Sequence, residues 1–263
     1  VSVDQPSDAV MAIIQWRRKD LNPENKDLIV IDAKTGKRVT NVCRFQISRE
    51  KGEVVFQPQT APGDYYIYYL KNISTGSKYY PTVTYPGFEE TASAEWKKAN
   101  RLTEKKAPEL PLATVKQFQA INEFHSFYPM EVIATAKEKE DLLKSRPKDS
   151  YILFTEDRRF PIRMTTDLPY KWIEDNRHDY FEGTADKGEY YTFQIGLWAA
   201  RKDVNRLKIN YSPLVNLQTG ESIPASAFTC FNTGGVDVTG SVFEKDCSVP
   251  KGKVQALWVG TMV

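Results

Sequence analysis

Short apolar runs separated by turn residues fill the first third of the chain. The runs cover residues 28–32, 42–47, 53–56 and 65–70, with turns at 34–37 and 62–64. Short strands between turn signals are typical of an antiparallel β-sandwich. The pattern predicts such a domain over residues 1–88. Because both faces of the run 65–70 are aromatic or aliphatic, this strand is expected to be central and buried.

The hydrophobic period changes between residues 91 and 146. Apolar residues recur with helical spacing in the segments 92–99, 115–124 and 136–144. Thr135 followed by Glu138 is a candidate capping box for the last of these helices. Residues 105–111 are rich in Lys and Pro and interrupt the helical pattern, which favours a linker. We therefore predict a helical connector over residues 89–149.

Strand-like patterns return at residue 150 and continue to the end of the sequence. In the run that follows Gly188, residues Tyr191, Phe193, Ile195 and Leu197 would share one side of a strand. The segment 150–263 is therefore predicted to be a second β-sandwich. The expected fold class is mainly β, with two antiparallel β-sandwich domains joined by a short helical connector.

A few stretches of the chain are more distinctive than their neighbours. The most specific are Glu156-Asp-Arg-Arg-Phe-Pro161, the strand after Gly188 and the turn Asn232-Thr-Gly-Gly235. With residues 30–39 and the final run 255–263, they resemble the N-terminal region of glycoside hydrolase family 123. The similarity runs from about Trp16 to the end.

The resemblance implies a parent protein in which β-sandwich material precedes a (β/α)8 barrel. In that family the barrel carries an adjacent Asp-Glu pair and removes β-linked N-acetylgalactosamine. No barrel pattern follows here, and the chain ends on an apolar run. We therefore expect the non-catalytic front part of a longer protein, truncated before the barrel, inactive alone and supporting or orienting a downstream catalytic domain.

Two other functions stay open at this point. One is a free-standing carbohydrate-binding or cell-surface adhesion module. The other is that this chain is itself an enzyme, for which Glu156 and Asp157 are the tempting acids because glycosidic cleavage uses carboxyl groups. Arg158 and Arg159 follow immediately, and nearby cations keep carboxyl groups ionised, whereas a general acid needs a raised pKa. We predict an ion-paired loop rather than a catalytic pair.

Sugar binding would need an aromatic face with polar groups at its edge. Tyr190, Gln194 and Trp198 fall on one side of the strand after Gly188, and Gly196 leaves a gap between the last two. These three residues are the candidate carbohydrate-binding site. The alternative, which we favour, is that Trp198 packs against the chain itself, because aromatic side chains are usually buried.

Composition limits the partners. The 263 residues include 36 Lys and Arg and 34 Asp and Glu, giving a net charge of +2. This balance argues against nucleic acid or an anionic membrane as a partner. No stretch approaches the roughly 20 apolar residues that span a bilayer, and the opening residues lack signal-peptide features. The protein is either cytoplasmic or has lost a leader, and the family resemblance favours export to the periplasm or cell surface.

Metal and cofactor chemistry is not expected. His125 and His178 lie far apart in the sequence, and the cysteines lack zinc-site spacing. Each histidine is predicted to be a surface or structural residue. The Gly-rich stretch Asn232-Thr-Gly-Gly235 lacks the lysine and spacing of a phosphate loop and predicts a turn with positive φ angles.

The cysteines leave the redox compartment open. Cys43 is best interpreted as a small buried hydrophobic residue. Cys230 and Cys247 flank the Gly-rich turn. They could form a disulfide in an oxidising compartment or remain free, and spacing alone does not decide between the two.

Overall fold

The chain forms two compact units in a computed structural model that describes residues 1–69, 72–104, 108–119, 128–176 and 180–263. The units are Val1–Ser126 and Phe127–Val263. β-Strands are the main regular structure in both, which confirms the mainly β class. Residues 89–149, predicted as a connector, are divided between the two units.

The first unit is built from strands of two to seven residues. Its described elements are β1 (Ser2–Val3), β2 (Val10–Ile14), a 3₁₀ helix (Pro23–Asn25), β3 (Leu28–Asp32), β4 (Val42–Ile47), β5 (Gly52–Phe56), β6 (Gly63–Tyr69), β7 (Ile73–Gly76), β8 (Pro81–Thr84), α1 (Ala94–Ala99) and β9 (Leu112–Ala113). They build a sheet in the order β4-β5-β2-β9, a sheet in the order β1-β6-β3, and the β7-β8 hairpin. Pairing is antiparallel except between β2 and β9.

The two larger sheets of this unit share one hydrophobic core. The alternating residues Val10, Ala12 and Ile14 of β2 lie in the same cluster as Val30 of β3 and Tyr65 of β6. Across the layers, the rings of Phe56 and Tyr65 lie 4.9 Å apart. A two-layer β arrangement therefore buries the period-2 apolar positions that the sequence displays.

Helix α1 covers the opposite face of the β4-β5-β2-β9 sheet. Its N-cap Ser93 accepts a hydrogen bond from the Trp96 N–H. The Trp96 side chain is buried against Met11 and Val55, and its Nε1 donates to the Asp8 carbonyl at 2.9 Å. The first part of the predicted connector is thus a structural layer of the first unit.

Asp32 ends β3 as a buried carboxylate. It accepts hydrogen bonds from the Thr60 hydroxyl at 2.5 Å and from the N–H groups of Lys34 and Thr35 at 2.9 and 2.8 Å. Burial alone would raise the pKa of Asp32, but these hydrogen bonds lower it below its usual value. The folded state therefore holds this carboxylate ionised.

Asp32→Asn is expected to lower the free energy of unfolding by about 1–3 kcal/mol at pH 7. A lowered folded-state pKa contributes stability above the unfolded value of about 3.9, which is lost as pH falls through the folded value. The difference between wild type and variant should therefore shrink below about pH 4. Urea unfolding of both proteins between pH 7 and pH 3 measures this, and a pH-independent difference would contradict it.

The second unit is built on one antiparallel sheet. Its described elements are a 3₁₀ helix (Pro129–Glu131), α2 (Ala136–Ser145), β10 (Ile152–Asp157), α3 (Tyr170–Asp175), β11 (Tyr190–Trp198), β12 (Leu214–Val215), β13 (Ser222–Ile223), a 3₁₀ helix (Ala225–Ala227), β14 (Thr229–Cys230), β15 (Gly234–Val236), β16 (Val242–Glu244) and β17 (Val254–Met262). The sheet order is β10-β11-β17-β14, and β12-β13 and β15-β16 form hairpins.

Each face of this sheet has its own core. On one face, Phe154 and Trp198 pack with Trp172 of α3 and Met130 of the first 3₁₀ helix. On the other face, Leu257 and Val259 of β17 pack with Cys230, Cys247 and residues from the irregular segments. Both cysteines are free thiols there, and burial raises the pKa of Cys247. Strand β11 lies between two hydrophobic layers, as its near-continuous apolar sequence requires.

Two sequence-based helix predictions had different outcomes. Helix α2 begins after Thr135 with both hydrogen bonds of the predicted capping box to Glu138, so this prediction is confirmed. The helix predicted over 115–124 is wrong for residues 115–119, which have no regular structure. Its remaining residues lie outside the described part of the chain.

The Gly-rich turn also differs from expectation. Gly234 and Gly235 belong to β15, and neither has a positive φ angle. A Cβ on Gly234 would lie 2.8 Å from the backbone oxygen of Phe243 in the paired strand. This glycine permits close approach of two strands and is not a left-handed turn residue.

Candidate functional site

The face predicted to bind carbohydrate is mostly core. Gln194 is 0% exposed and Trp198 is 4% exposed, whereas Tyr190 is 40% exposed. Trp198 packs with Ile152 of β10, Val254 of β17 and Trp172 of α3. The glycan role of these three residues stays a prediction, with Tyr190 as the member that solvent reaches.

The gap at Gly196 is filled by an aromatic ring of the chain itself. A Cβ on Gly196 would lie 2.1 Å from Cη2 of Trp172. The indole also stacks on Phe154, with ring centroids 4.5 Å apart and planes at 9°. Strand residue 196 must therefore lack a side chain because α3 places an indole there.

Gln194 fixes the segment that follows β10. Its Oε1 accepts a hydrogen bond from the Ile162 N–H at 2.8 Å. Its Nε2 donates hydrogen bonds to the carbonyls of Asp157 and Phe160 at 3.0 and 3.2 Å. The amide thus satisfies backbone groups that the irregular segment 157–162 would otherwise leave unpaired in the interior. Its role in this structure is to hold that segment on the sheet.

Glu156 is a buried carboxylate with several partners. It is 3% exposed and lies on the face of β10 that packs against α3. Oε2 accepts a hydrogen bond from Nε1 of Trp172 at 3.1 Å. The same oxygen lies 3.1 Å from Nζ of Lys171. Burial would lower the pKa of Lys171, but Asp175 and Glu156 raise it. The carboxylate is therefore used in an internal ion pair.

Asp157 has a different environment. Its Oδ1 accepts hydrogen bonds from the backbone N–H and from the Nε–H of Arg159, each at 2.8 Å. Burial would raise the pKa of Asp157, but these hydrogen bonds and the charges of Arg159 and Arg158 lower it below its usual value. Arg158 itself pairs with Glu189 and lies over the Tyr191 ring at 4.6 Å. The expected ion pairing with an arginine is present for Asp157, but Glu156 pairs with Lys171 instead, and both acids lie at the end of β10 rather than in a loop.

The two adjacent acids are not arranged for joint chemistry. Successive side chains on a strand point to opposite faces of the sheet, and Glu156 and Asp157 are the last two residues of β10. Cleavage of one glycosidic bond requires both carboxyl groups on the same substrate. In this geometry one acid is buried under α3 and the other is tied to Arg159 on the opposite side.

The histidines, metal-binding groups and membrane-spanning helices considered in the sequence can be assessed only within the described residues. His125 and His178 lie outside the described residues. Within the described ranges, no group of three or more His, Cys, Asp or Glu residues is placed to hold a metal ion. None of the helices in these ranges is both long and apolar enough to cross a membrane.

An exposed aromatic surface lies on the first unit. The strand predicted as fully buried, β6, is buried on one face only: Tyr65 is 1% exposed, but Tyr66 is 55% and Tyr68 is 45% exposed. Ile31 and Ile29 of β3 are their cross-strand neighbours. We call Ile29, Ile31, Tyr66 and Tyr68 the tyrosine face. The sequence signal for it was Asp64, a charged residue in the same alternating position as the two tyrosines.

Comparison with known proteins finds a family match in the first part of the chain. Residues 1–121 match the family model described as Glycoside hydrolase 123, N-terminal domain. The resemblance to the N-terminal region of this family is therefore confirmed for residues 1–121, slightly less than half of the chain. The stretches that were most distinctive in the sequence, in 156–235, lie outside the matched region.

Structural comparison finds a family 123 glycoside hydrolase from Clostridium perfringens, studied for the details of glycolipid glycan hydrolysis. The similarity has a TM-score of 0.32 at 15% identity. It covers 44% of this chain and 22% of that one, so the matched part spans less than a quarter of the length of that enzyme. No curated protein matches this sequence.

Proposed function

We propose that this chain is a non-catalytic N-terminal region of a glycoside hydrolase acting on amino-sugar glycans of the N-acetylgalactosamine type. In this proposal it supports or orients a catalytic barrel in the same polypeptide. The observation that carries the proposal is the match of residues 1–121 to the N-terminal domain of family 123. An N-terminal domain implies a catalytic domain further along the polypeptide.

The arrangement of the adjacent acids supports the non-catalytic part of the proposal. Glu156 is held by Lys171 and Trp172, and Asp157 is held by Arg159. A general acid at neutral pH needs a pKa raised toward the working pH, whereas the pKa of Asp157 is lowered. We further propose that the polypeptide is exported to the periplasm or cell surface, where extracellular glycans are its substrates.

The second candidate is a free-standing carbohydrate-binding or cell-surface adhesion module. The tyrosine face favours it, because exposed clusters of large apolar side chains mark interaction sites. The two candidates differ in whether a catalytic domain depends on this region. A supporting region stabilises a catalytic domain of the same polypeptide, whereas a free-standing module binds glycan without such a domain.

Purified residues 1–263 are expected to release no chromophore from a β-N-acetylgalactosaminide above the buffer rate, because Glu156 is held in a buried ion pair and Asp157 is held by Arg159. An active family 123 hydrolase serves as the positive control. Release that is abolished by Glu156→Gln or Asp157→Asn would contradict the proposal.

The supporting role is tested by expressing the catalytic part of the polypeptide with and without residues 1–263. We expect the shortened protein to unfold at a lower temperature and to lose activity on a small soluble substrate. Equal melting temperature and equal activity, with loss of retention on immobilised glycan only, would instead support the binding module.

A further inference from the structure

The tyrosine face is an aromatic surface on a rigid sheet. Tyr66 pairs with Ile31 and Tyr68 pairs with Ile29, so the four side chains form two neighbouring rows. The tyrosine ring centroids lie 6.3 Å apart, and their planes are tilted by 48°. The two rings therefore offer two separate faces, each next to a half-buried isoleucine.

Polar groups lie at one end of this surface. Asp64 occupies the same face of β6 two residues before Tyr66, a separation of about 7 Å along a strand. Its Oδ1 pairs with Nζ of Lys116 at 2.9 Å, and both side chains are more than half exposed. No hydrogen bond in the described part of the chain engages the hydroxyl of Tyr66 or Tyr68. The tyrosine face thus combines an apolar centre with donors and acceptors at one end.

We propose that the tyrosine face binds a neutral glycan, with the C–H faces of two neighbouring pyranose rings on Tyr66 and Tyr68 and sugar hydroxyl groups on Asp64 and Lys116. This inference rests on the proposed function, in which the whole polypeptide acts on glycans. It gives the N-terminal region a substrate-holding site of its own, separate from the strand after Gly188.

Charge and size together favour a sugar over other occupants. The ion pair of Asp64 and Lys116 itself carries no net charge, which suits an uncharged ligand better than a nucleic acid or an anionic lipid. A stable protein interface needs about 800 Å² on each partner, far more than four side chains supply. Tyrosine combines a flat apolar ring with a hydroxyl that hydrogen-bonds, as recognition of a sugar requires.

The test uses the full chain and a neutral oligosaccharide that ends in β-linked N-acetylgalactosamine, with binding followed by calorimetric titration and by ligand-observed NMR. Wild type is expected to bind this probe. Because an aromatic contact contributes about a factor of 2 to 12 in affinity, Tyr66→Ala together with Tyr68→Ala should weaken binding at least about fivefold. A sulfated form of the same oligosaccharide should bind no better than the neutral form.

Tyr79→Ala is the matched control, because Tyr79 is 88% exposed in the turn between β7 and β8 and lies outside the tyrosine face. Its affinity should equal that of wild type. Thermal melts should show all variants folded, and the single variants Tyr66→Ala and Tyr68→Ala replace the double variant if it melts early. Absence of wild-type binding, equal binding by the tyrosine-face variants, or preference for the sulfated probe would overturn the proposal.

The outcome also separates this inference from the proposed function. A probe that is bound through Tyr66 and Tyr68 and also cleaved supports the glycan site and contradicts a non-catalytic chain. A probe that is neither bound nor cleaved overturns the glycan site and leaves the non-catalytic region intact.

Discussion

Replacing Trp198 by alanine is expected to lower the free energy of unfolding of the second unit by about 3–5 kcal/mol. The indole is 4% exposed and packs with Ile152, Val254 and Trp172, so its removal leaves a cavity in the core. The melting temperature should fall by more than about 8 °C. Urea unfolding and thermal melts of wild type and variant measure both quantities.

Tyr190→Ala is the control on the same strand. Tyr190 is 40% exposed, so its loss should cost much less stability than the loss of Trp198. A glycan array with both variants then tests the predicted carbohydrate role. If Trp198→Ala abolishes a wild-type glycan signal and leaves the melting temperature unchanged, the packing explanation is wrong.

The second large effect is expected at the adjacent acids, where Glu156→Ala should destabilise the chain by about 3 kcal/mol. The change removes the buried partner of Lys171 and leaves Nε1 of Trp172 without its acceptor. Asp157→Ala should cost only about 1 kcal/mol, because its partner Arg159 lies largely in solvent. Urea unfolding of the two variants compares the free energies that two neighbouring carboxylates contribute.

Glu156→Gln serves as the intermediate variant. It retains an acceptor for Trp172 but removes the charge opposite Lys171, so its cost should lie between the other two. Equal costs for Glu156→Ala and Asp157→Ala would show that the carboxylate of Glu156 is not the buried group that the structure describes.

The sequence predicted local structure better than it predicted which surfaces are covered. The capping box at Thr135 and the alternation in β11 depend on neighbouring residues, and both are readable from the chain itself. Alternation shows which side chains share a face but not whether another segment packs on that face. The tyrosine strand illustrates this, because Tyr65 and Tyr66 are equally apolar neighbours with opposite exposures.

For the predicted carbohydrate face, alternation likewise did not show which segment covers the strand. Tyr190, Gln194 and Trp198 do alternate on one strand, but α3, which covers Gly196 and Trp198, has only six residues. A helix this short has too few positions to show a reliable apolar period. The partner of the strand therefore could not be identified before the tertiary structure was known, and neither could the link from Gln194 to segment 157–162.

The central ladder of the second unit joins distant parts of the chain. All nine residues of β11 pair with β17, from Tyr190 opposite Met262 to Trp198 opposite Val254. During synthesis, β11 leaves the ribosome well before its partner strand exists, and one edge of β11 stays unpaired until residues 254–262 follow. The sheet of this unit can therefore close only after residue 262 has been made, and until then the open edge of β11 can pair with another chain.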